Sequence, residues 1–415
     1  MTLIKTSLLN GLAVIVRMAT LLGLNKILAV YVGPSGYALI GQLQNAMVMM
    51  TTVASGSINT GVTKYTAELR NNDEKTNDVW KTSFNISMLL SFTLAIGIYF
   101  FSFELSSYFF HNTSYEFVFT WFAVTLPFFV LNSLLMSILN GRKEVVRYIK
   151  VNIFSAIFSL MFTGALTMSF GIKGALVALV TNQSIVLLVT IFLLHKTEWF
   201  GLKRLVGFGK WKVTQDLSKF ALMTIVSVIS VPLSHIAVRQ HLVSEFGMEH
   251  AGYWDAMWKI STVYLMLVTT TLSLYYLPRL SEIKAKEELR SEILYGYKII
   301  MPIVIVVSMC SYLLKELVVK ILFSNDFLEM MSLFGWQMFG DTVKIASWLL
   351  AFVYTAKGLA KIHIFSQILF SFSFYFLTVF FCSIYGFDGV AISHAANYIA
   401  YSIFVFISLK FLKVI

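Results

Sequence analysis

The sequence predicts an all-α integral membrane protein with twelve transmembrane helices in two six-helix lobes around a central cavity. Three observations predict this architecture. Of the 415 residues, 58% are apolar and only 13% are charged, whereas soluble domains carry about a quarter charged residues. Apolar runs of about twenty residues, the length that crosses a bilayer, follow one another with short polar breaks. The two halves of the chain also carry similar motifs at a nearly constant spacing.

The spans are predicted from these apolar runs. They occupy, in chain order, residues 8–32, 37–62, 82–103, 117–139, 148–170, 175–194, 220–243, 253–277, 298–314, 329–353, 362–384 and 390–409. The first run is too long for the apolar core of a signal peptide, contains Arg17 and lacks a small-residue cleavage site. We therefore expect it to remain as a span.

The distribution of basic residues predicts the orientation. With the N-terminus inside, and with residues at the ends of spans counted in the adjoining segments, the inner segments hold 24 of the 32 Lys and Arg residues, the outer segments hold four, and the span interiors hold four. Cytoplasmic loops carry such an excess. We therefore expect both termini to be cytoplasmic and the net charge of +11 to reflect orientation rather than a nucleic-acid partner.

The longest break, residues 196–217, holds Trp199, Phe200, Phe208 and Trp211 among lysines. This composition is typical of a segment that lies at the membrane surface. It predicts a cytoplasmic interfacial linker between an N-terminal six-helix lobe, residues 1–195, and a C-terminal six-helix lobe, residues 218–415.

An internal duplication relates these lobes. Residues 170–175 before span six correspond to residues 385–390 before span twelve, 215 positions later, and Gly36-Tyr37 corresponds to Gly252-Tyr253, 216 positions later. An even number of spans in each half gives parallel repeats, an arrangement that places a substrate path between lobes. A chance coincidence of two Gly-rich turns is the alternative interpretation.

The signatures of the common enzyme and metal sites are missing. The sequence has no phosphate-binding loop of the Gly-x-x-x-x-Gly-Lys-Ser/Thr type. Its seven histidines are scattered, and neither His-x-x-x-His nor Cys-x-x-Cys spacing occurs. The predicted outer loops are too short for the catalytic residues of a glycan polymerase or ligase. We therefore expect no catalytic residue, no metal and no cofactor.

Charged residues inside the spans are the first candidates for function, because one at the bilayer centre costs about 2.5 to 3.5 kcal/mol. Asp255 and Lys259 lie four positions apart and Asp341 and Lys344 three apart, so each couple shares a helix face. Each couple can neutralise itself without binding anything. Alternatively, Asp255 and Asp341 couple turnover to protons or sodium.

Further cations have no such neighbour. Arg17 and Lys26 lie in span one, Arg239 lies near the outer end of span seven, and Lys64 and Arg279 lie at the inner ends of spans two and eight. Snorkelling to the surface and ordinary inside-positive charge are the structural alternatives. Four cations against two carboxylates within the spans favour an anion, phosphate in particular.

Several motifs resemble a known family. They are Gly61-Val-Thr-Lys-Tyr65, Leu217-Ser-Lys-Phe220 followed by Met223, Leu277-Pro-Arg-Leu-Ser281, Trp336-Gln-Met-Phe-Gly-Asp341 with Lys344, and Ala356-Lys357. In these segments, and along the whole chain, the sequence resembles the Wzx-type flippases of lipid-linked oligosaccharides, which include O-antigen translocases and lipid III flippases of enterobacterial common antigen synthesis. That group belongs to the multidrug/oligosaccharidyl-lipid/polysaccharide superfamily.

The resemblance implies a function. It implies translocation of an undecaprenyl-diphosphate-linked oligosaccharide from the cytoplasmic to the periplasmic leaflet, for surface polysaccharide and lipopolysaccharide synthesis, with the polysaccharide polymerase and chain-length regulator as partners. Candidate residues for the diphosphate or cavity are Arg17, Lys26, Lys64, Arg239, Lys259, Arg279 and Lys344. Asp255 and Lys259 stand where the family has polar residues and Gln44 where it has a basic one, which leaves the glycan open. A multidrug or cation antiporter of the same fold is the alternative.

Overall fold

The computed structural model describes residues 3–195, 197, 199–412 and 414. The chain termini and residues 196 and 198 of the predicted linker lie outside the described residues. The helices, in chain order, are α1 (Leu3–Ala54), α2 (Asn59–Glu68), α3 (Asp73–Phe100), α4 (Ser102–Phe110), α5 (Glu116–Gly141), α6 (Val145–Leu194), α7 (Leu202–Leu205), α8 (Trp211–Phe246), α9 (Met248–Thr271), α10 (Leu277–Glu282), α11 (Lys286–Leu313), α12 (Lys315–Leu322), α13 (Phe334–Ala356), α14 (Ala360–Tyr385) and α15 (Gly389–Phe411). Short 3₁₀ and π segments connect some of them, and no strand occurs among the described residues, which confirms the all-α class.

Two helices are too long to be single spans. α1 has 52 residues and α6 has 50, whereas a bilayer core takes about 20. Each contains one glycine in a non-helical conformation, Gly33 at φ 68° and Gly171 at φ 58°. Positive φ is accessible to glycine without steric cost, so these residues break the two helices within breaks predicted from the sequence.

The backbone reproduces the predicted duplication. Gly171 (φ 58°, ψ −138°) and Gly386 (φ 62°, ψ −145°), 215 positions apart, adopt nearly the same conformation. Three residues after each, Gly174 and Gly389 lie against backbone: a Cβ on Gly174 would lie 2.0 Å from the carbonyl oxygen of Leu166, and one on Gly389 would lie 2.4 Å from that of Phe381. The two obstructing carbonyls are themselves 215 positions apart. The two turns are therefore built alike.

Among the described residues, six helical segments are long and apolar enough to cross a membrane. They are Gly11–Ala54, Asp73–Phe100, Thr113–Gly141, Val145–Leu194, Lys286–Leu313 and Ala360–Phe411. Several exceed the length of one span. These segments support a multi-pass membrane protein, and the count of twelve spans stays a prediction.

The chain divides into two compact units. The N-terminal unit comprises Met1–Val32 and Leu39–Pro232, and the C-terminal unit comprises Gly33–Ala38 and Leu233–Ile415. The division falls within α8, at Pro232, and the six-residue segment Gly33–Ala38 of α1 belongs to the C-terminal unit. The lobe boundaries predicted around residues 196–217 stay a prediction.

The core of the N-terminal unit packs α3, α5 and α6 around Trp80. The indole of Trp80 donates a hydrogen bond to Thr66 Oγ1 at 3.0 Å and packs edge-on against Trp199 with ring centroids 5.5 Å apart. The guanidinium of Arg142 lies 5.8 and 5.2 Å from these two rings. Trp199 thereby joins the start of the predicted linker to this unit.

Polar contacts also join the linker to α3. Lys210 pairs with Asp78 at 2.6 Å, and the hydrogen bond between them raises the pKa of the lysine. Asn85 donates to the carbonyl oxygen of Gly207 at 2.8 Å. Phe208, between these contacts, is 99% exposed, as expected of a side chain available to a membrane surface.

The segment Gly33–Ala38 packs inside the C-terminal unit. Tyr37 is buried, with its ring edge-on to Phe323 and Phe327 at centroid distances of 5.8 and 5.6 Å. Tyr253, the repeat equivalent of Tyr37, packs on the same Phe327 at 6.0 Å. A Cβ on Gly252 would lie 1.9 Å from the carbonyl oxygen of Pro34, so glycine is required for this close approach.

Candidate functional site

A buried cluster of polar and aromatic side chains occupies the C-terminal unit. It is built by helical spacing, since residues three, four and seven apart share one helix face. Its members are His235 and Arg239 on α8, Trp254, Asp255, Trp258, Ser261 and Tyr264 on α9, Gln337, Asp341, Lys344 and Trp348 on α13, and His394 and Tyr398 on α15. Four of the nine predicted charged residues belong to this cluster.

The first ion pair of the cluster joins α8 to α9. Arg239 and Asp255 are 3% and 5% exposed. Arg239 donates to Asp255 through Nε at 2.6 Å and through Nη2 at 2.5 Å, the bidentate geometry that guanidinium and carboxylate favour. The guanidinium also lies 5.5 Å from the Trp254 ring. The direct partner of Asp255 is thus Arg239 of another helix, and Lys259 interacts with Asp255 electrostatically.

Asp341 is the second acidic centre and is fully buried. Its Oδ2 accepts hydrogen bonds from Ser261 Oγ at 2.5 Å and from the hydroxyl of Tyr264 at 2.7 Å. Its Oδ1 lies 3.0 Å from Nε2 of His394. The carboxylate therefore ties α9 and α15 to α13, with partners on two other helices rather than on its own.

Lys344, one helical turn after Asp341, lies among aromatic rings. Its Nζ is 4.7, 5.1 and 5.3 Å from the ring centroids of Trp258, Trp348 and Tyr398, within the range of cation–π attraction. Lys344 is 7% exposed. In the part of the chain that the structure describes, no carboxylate lies within ion-pair distance of this ammonium. The predicted Asp341–Lys344 couple is therefore not a direct ion pair.

Lys344 also lines a cavity of about 540 Å³ in the C-terminal unit. The wall is partly aromatic and partly polar, with Trp348, Tyr401, His363 and Gln367 beside the lysine. Such a volume lies within the range of about 300 to 1,000 Å³ that small-molecule sites occupy. Nδ1 of His363 is buried and has no hydrogen-bond partner among the described residues.

The N-terminal unit has a cavity of about 290 Å³ at the equivalent place. Six lining residues of one cavity correspond to lining residues of the other, 215 positions later: Phe129 to Lys344, Ser133 to Trp348, Met136 to Ala351, Tyr148 to His363, Asn152 to Gln367 and Val186 to Tyr401. The two cavities are therefore a repeated feature of the fold. The N-terminal cavity has no charged lining residue in the described structure.

Four other predicted cations are not members of this cluster. Arg17 is exposed, and Lys26 is half-buried. Lys64 is exposed and pairs with Glu68 at 3.6 Å. Arg279 pairs with two acids of α11, Glu288 at 3.3 Å and Glu292 at 3.5 Å. Their predicted role in binding a diphosphate stays a prediction.

Several members of the cluster were not predicted from the sequence. They are His235, Trp254, Trp258, Tyr264, Trp348, His394 and Tyr398. A signal for them exists, because Trp254, Trp258 and Ser261 follow i, i+4, i+7 spacing, as do Gln337, Asp341 and Lys344. Among the described residues no group of three His, Cys, Asp or Glu side chains could hold a metal ion.

The fold is shared with membrane transporters of known structure. It is similar to the inward-facing conformation of a multidrug resistance MATE family transporter of the MOP superfamily, with a TM-score of 0.80 and 14% identity over 96% of this chain and 99% of that one. It is also similar to the lipid II flippase MurJ in an inward closed conformation, with a TM-score of 0.76 and 16% identity over 99% of this chain and 90% of that one. These similarities establish the fold.

Sequence similarity identifies the family. Residues 3–284 match the family described as polysaccharide biosynthesis protein, and the chain belongs to that family. Its sequence is 28% identical over 414 residues to the lipid III flippase of Escherichia coli (strain K12), covering 97% of this chain and 96% of the relative. The lipid III flippase of Shigella flexneri matches to the same extent. The resemblance inferred from the motifs is thereby confirmed, and both relatives bear the name of a transporter rather than of an enzyme.

Proposed function

We propose that this protein is a flippase that moves an undecaprenyl-diphosphate-linked oligosaccharide from the cytoplasmic to the periplasmic leaflet of the bacterial inner membrane by alternating access. The observation that carries the proposal is the match to two lipid III flippases over 97% of the chain. The product would supply surface polysaccharide or lipopolysaccharide synthesis. The polysaccharide polymerase and the chain-length regulator are its proposed partners.

For the diphosphate, we favour Arg17 among the predicted cations. Its side chain is exposed, and no carboxylate of the described chain lies within ion-pair distance of it. Arg239, by contrast, already holds both oxygens of Asp255, and breaking that buried pair to bind substrate would leave a carboxylate uncompensated. Lys26, Lys64, Lys259 and Arg279 are proposed as secondary contacts.

For ion coupling, Asp341 is a better candidate than Asp255. Both oxygens of Asp255 accept hydrogen bonds from one guanidinium, so a proton could bind this carboxylate only by breaking the bidentate pair. Asp341 is bound by the neutral hydroxyls of Ser261 and Tyr264 and by His394, whose imidazole has one ring nitrogen that can accept a proton and one that can donate. We therefore propose Asp341 and His394 as the pair through which protons would be coupled to transport.

The orientation is part of the proposal. Twelve spans with both termini cytoplasmic account for the 24 basic residues in the predicted inner segments, since positive charges accumulate on the cytoplasmic side. The turn at residues 357–359 between α13 and α14 then faces the cytoplasm, and the cavities of both units open in the cytoplasmic half of their helices.

The proposal is tested by leaflet transfer in proteoliposomes. The wild type and Arg17→Ala are compared with an undecaprenyl-diphosphate-linked glycan and with a cationic dye as substrates. We expect the wild type to move the glycan lipid and Arg17→Ala to slow it at least tenfold. Lys173→Ala is the matched control, because it removes another exposed cation that lies outside the proposed site.

The outcomes separate the two candidate functions. Transfer of the dye without transfer of the glycan lipid would make the protein a multidrug exporter, the function of the MATE transporter whose fold is similar. Transfer of the glycan lipid at equal rates by the wild type and Arg17→Ala would keep the flippase and remove Arg17 from the diphosphate site.

A further inference from the structure

Three residues of the linker, Gly207-Phe208-Gly209, lie flat against the side of α3, and we call them the linker tip. Both glycines are in close contact with that helix. A Cβ on Gly207 would lie 3.0 Å from Cδ of Lys81, and one on Gly209 would lie 3.3 Å from Cα of Thr82. Phe208, between them, is 99% exposed. The linker tip therefore turns its backbone toward α3 and its one side chain away from it.

Hydrogen bonds fix the linker tip on both sides of Phe208. The side chain of Asn85 donates to the carbonyl oxygen of Gly207 at 2.8 Å. The backbone N–H of Lys210 donates to Thr82 Oγ1 at 3.0 Å. Burial of an aromatic ring is favourable, so a ring that is held outward by such contacts indicates an apolar partner outside the chain.

The position of the linker tip along α3 indicates how deep it lies. α3 has 28 residues, whereas the apolar core of a bilayer takes about 20. About eight residues of α3 therefore project from the core, and they are the polar ones at its start, between Asp73 and Lys81. The linker tip, which contacts Lys81 and Thr82, then lies where the lipid headgroups meet the acyl chains.

The face of α3 that bonds the linker tip continues as an exposed apolar surface. Leu89, Phe92 and Ile96 follow Asn85 by four, seven and eleven residues, a spacing that keeps them on one helix face. They are 68%, 56% and 59% exposed. α3 is one of the helices apolar enough to cross a membrane, and an exposed apolar face of this kind marks a surface that contacts lipid. Lipid is therefore the partner that Phe208 meets.

The charges around the linker tip favour an anionic lipid. Residues 199–215 contain four cations and no acidic residue. Two of them, Arg204 and Lys210, pair with acids of α3. Lys81 beside the linker tip and Lys212 after it have no carboxylate within ion-pair distance in the part of the chain that the structure describes. Cations at a membrane surface attract anionic headgroups, and aromatic side chains beside them insert among the lipids.

We propose that the linker tip and Lys81 bind an anionic phospholipid of the leaflet in which the linker lies, which is the cytoplasmic leaflet in the proposed orientation. The lipid phosphate pairs with Lys81, and Lys212 adds to the attraction. The acyl chains pack on Phe208 and continue along the exposed face of α3. This site does not contact the transported glycan, so its test does not depend on transport.

Binding of single lipids to the purified protein in detergent, counted by native mass spectrometry, tests the proposal. The probes are phosphatidylglycerol, which is anionic, and phosphatidylcholine with the same acyl chains, which is zwitterionic. We expect the wild type to bind phosphatidylglycerol at least fivefold more tightly. Lys81→Gln should weaken phosphatidylglycerol about fivefold and leave phosphatidylcholine unchanged. Phe208→Ser should weaken both lipids at least threefold, because it removes a contact with the acyl chains.

Two substitutions on α3 are matched controls. Lys75→Gln removes an exposed cation from the first turn of the helix, and Phe100→Ser removes a ring that is 74% exposed at its last residue. Both variants should bind the two lipids as the wild type does. Lys81 is half-buried and Phe208 is exposed, so neither test substitution removes a buried side chain from the core.

Three outcomes would overturn the proposal. Equal binding of the two lipids by the wild type would exclude an anion site. An equal loss of phosphatidylglycerol binding in Lys75→Gln and Lys81→Gln would reduce the effect to the general surface charge. Displacement of phosphatidylglycerol by millimolar inorganic phosphate, with wild-type affinity in Phe208→Ser, would assign the site to free phosphate rather than to a lipid.

The depth of the linker tip provides a second, independent test. In a chain with Cys310→Ser and Cys382→Ser, which removes both native cysteines, Phe208→Cys carries a nitroxide label in vesicles that contain phosphatidylglycerol. We expect this label to be more accessible to oxygen, which dissolves among acyl chains, than to a water-soluble nickel chelate. The same label introduced by Lys75→Cys should show the reverse. Greater accessibility of position 208 to nickel would place the linker tip in water and overturn the proposal.

Discussion

The two units contain cavities at equivalent positions, but the polar groups that line the two cavities differ in their hydrogen bonding. In the N-terminal unit, the amide of Asn132 donates to Gln183 and accepts from Thr190, so these polar groups bond to one another and the lining is neutral. In the C-terminal unit, Lys344 rests on aromatic rings and His363 has an unpartnered nitrogen. The comparison shows that a repeated backbone fixes where a cavity forms, whereas the side chains at matched positions decide the charge and the hydrogen bonding of its wall.

The largest expected effect concerns a buried ion pair that the N-terminal unit lacks. At the positions 216 residues before Arg239 and Asp255 stand Gly23 and Leu39. Asp255→Leu should lower the free energy of unfolding by about 3 to 5 kcal/mol, because it leaves the buried guanidinium uncompensated. Thermal and denaturant unfolding in mixed micelles measures the loss.

The double variant Arg239→Met/Asp255→Leu is the control for that experiment. Removing both charges should restore most of the stability, since apolar residues of similar volume can replace a buried pair. A double variant as unstable as Asp255→Leu would mean that the ion pair itself stabilises the packing of α8 against α9. The contrast between the units would then be a difference in how their helices are held together.

The next largest loss of stability, caused by adding a Cβ at a crowded turn, should be equal in the two units. Gly174→Ala and Gly389→Ala each push a Cβ against a backbone carbonyl of the preceding helix, which cannot rotate away as a side chain can. We expect each to destabilise the protein by about 1 to 3 kcal/mol. Gly97→Ala, where a Cβ meets nothing within 4 Å, is the control. Very unequal losses would show that the two turns, though alike in conformation, are not equally constrained.

A smaller loss of stability is expected from replacing a polar residue in a cavity wall, and its size should differ between the two cavities. Asn132→Leu removes two side-chain hydrogen bonds of the N-terminal cavity and leaves Gln183 and Thr190 without these partners. We expect it to lower the free energy of unfolding by about 1 to 3 kcal/mol. Gln367→Leu removes a group without a hydrogen bond in the described structure, and its cost should stay below about 0.5 kcal/mol. Equal costs, measured by unfolding in the same micelles, would contradict the distinction between a cavity whose polar groups bond to one another and a cavity that contains unbonded polar groups.

The smallest effect concerns Asn182 and Asn397, which are 215 positions apart and each have a buried, unpartnered Oδ1. Replacing an unsatisfied polar group by an apolar one of similar size is nearly neutral or stabilising. Asn182→Leu and Asn397→Leu should therefore change the unfolding free energy by less than about 0.5 kcal/mol each. A larger loss at one position would identify a hydrogen-bonding role for that residue outside the static structure.

The sequence predicted the helical class and the duplication, because long apolar runs and repeated Gly-rich turns are local features. It also singled out Asp341 and Lys344, and both are buried in the structure. It could not predict their partners. Same-helix spacing suggested that Asp255 faces Lys259, whereas a bidentate pair with Arg239 depends on how α8 packs against α9. The sequence also did not indicate that Arg239, predicted near the outer end of span seven, is buried against Asp255 and Trp254.

The aromatic members were missed for a related reason. Tryptophan and tyrosine in an apolar span are ordinary membrane composition, so Trp258 and Tyr398 carry no signal alone. They become informative only when tertiary packing brings their rings around one ammonium.

The placement of Gly33–Ala38 in the C-terminal unit has a consequence for biogenesis. Tyr37 is synthesised more than 280 residues before Phe323 and Phe327, the rings between which it packs. The C-terminal unit therefore cannot complete its packing from its own stretch of chain and must wait for a piece made at the start of translation. A protein split at the linker would carry that piece on the wrong fragment, and its C-terminal fragment would mature only when the two are produced together.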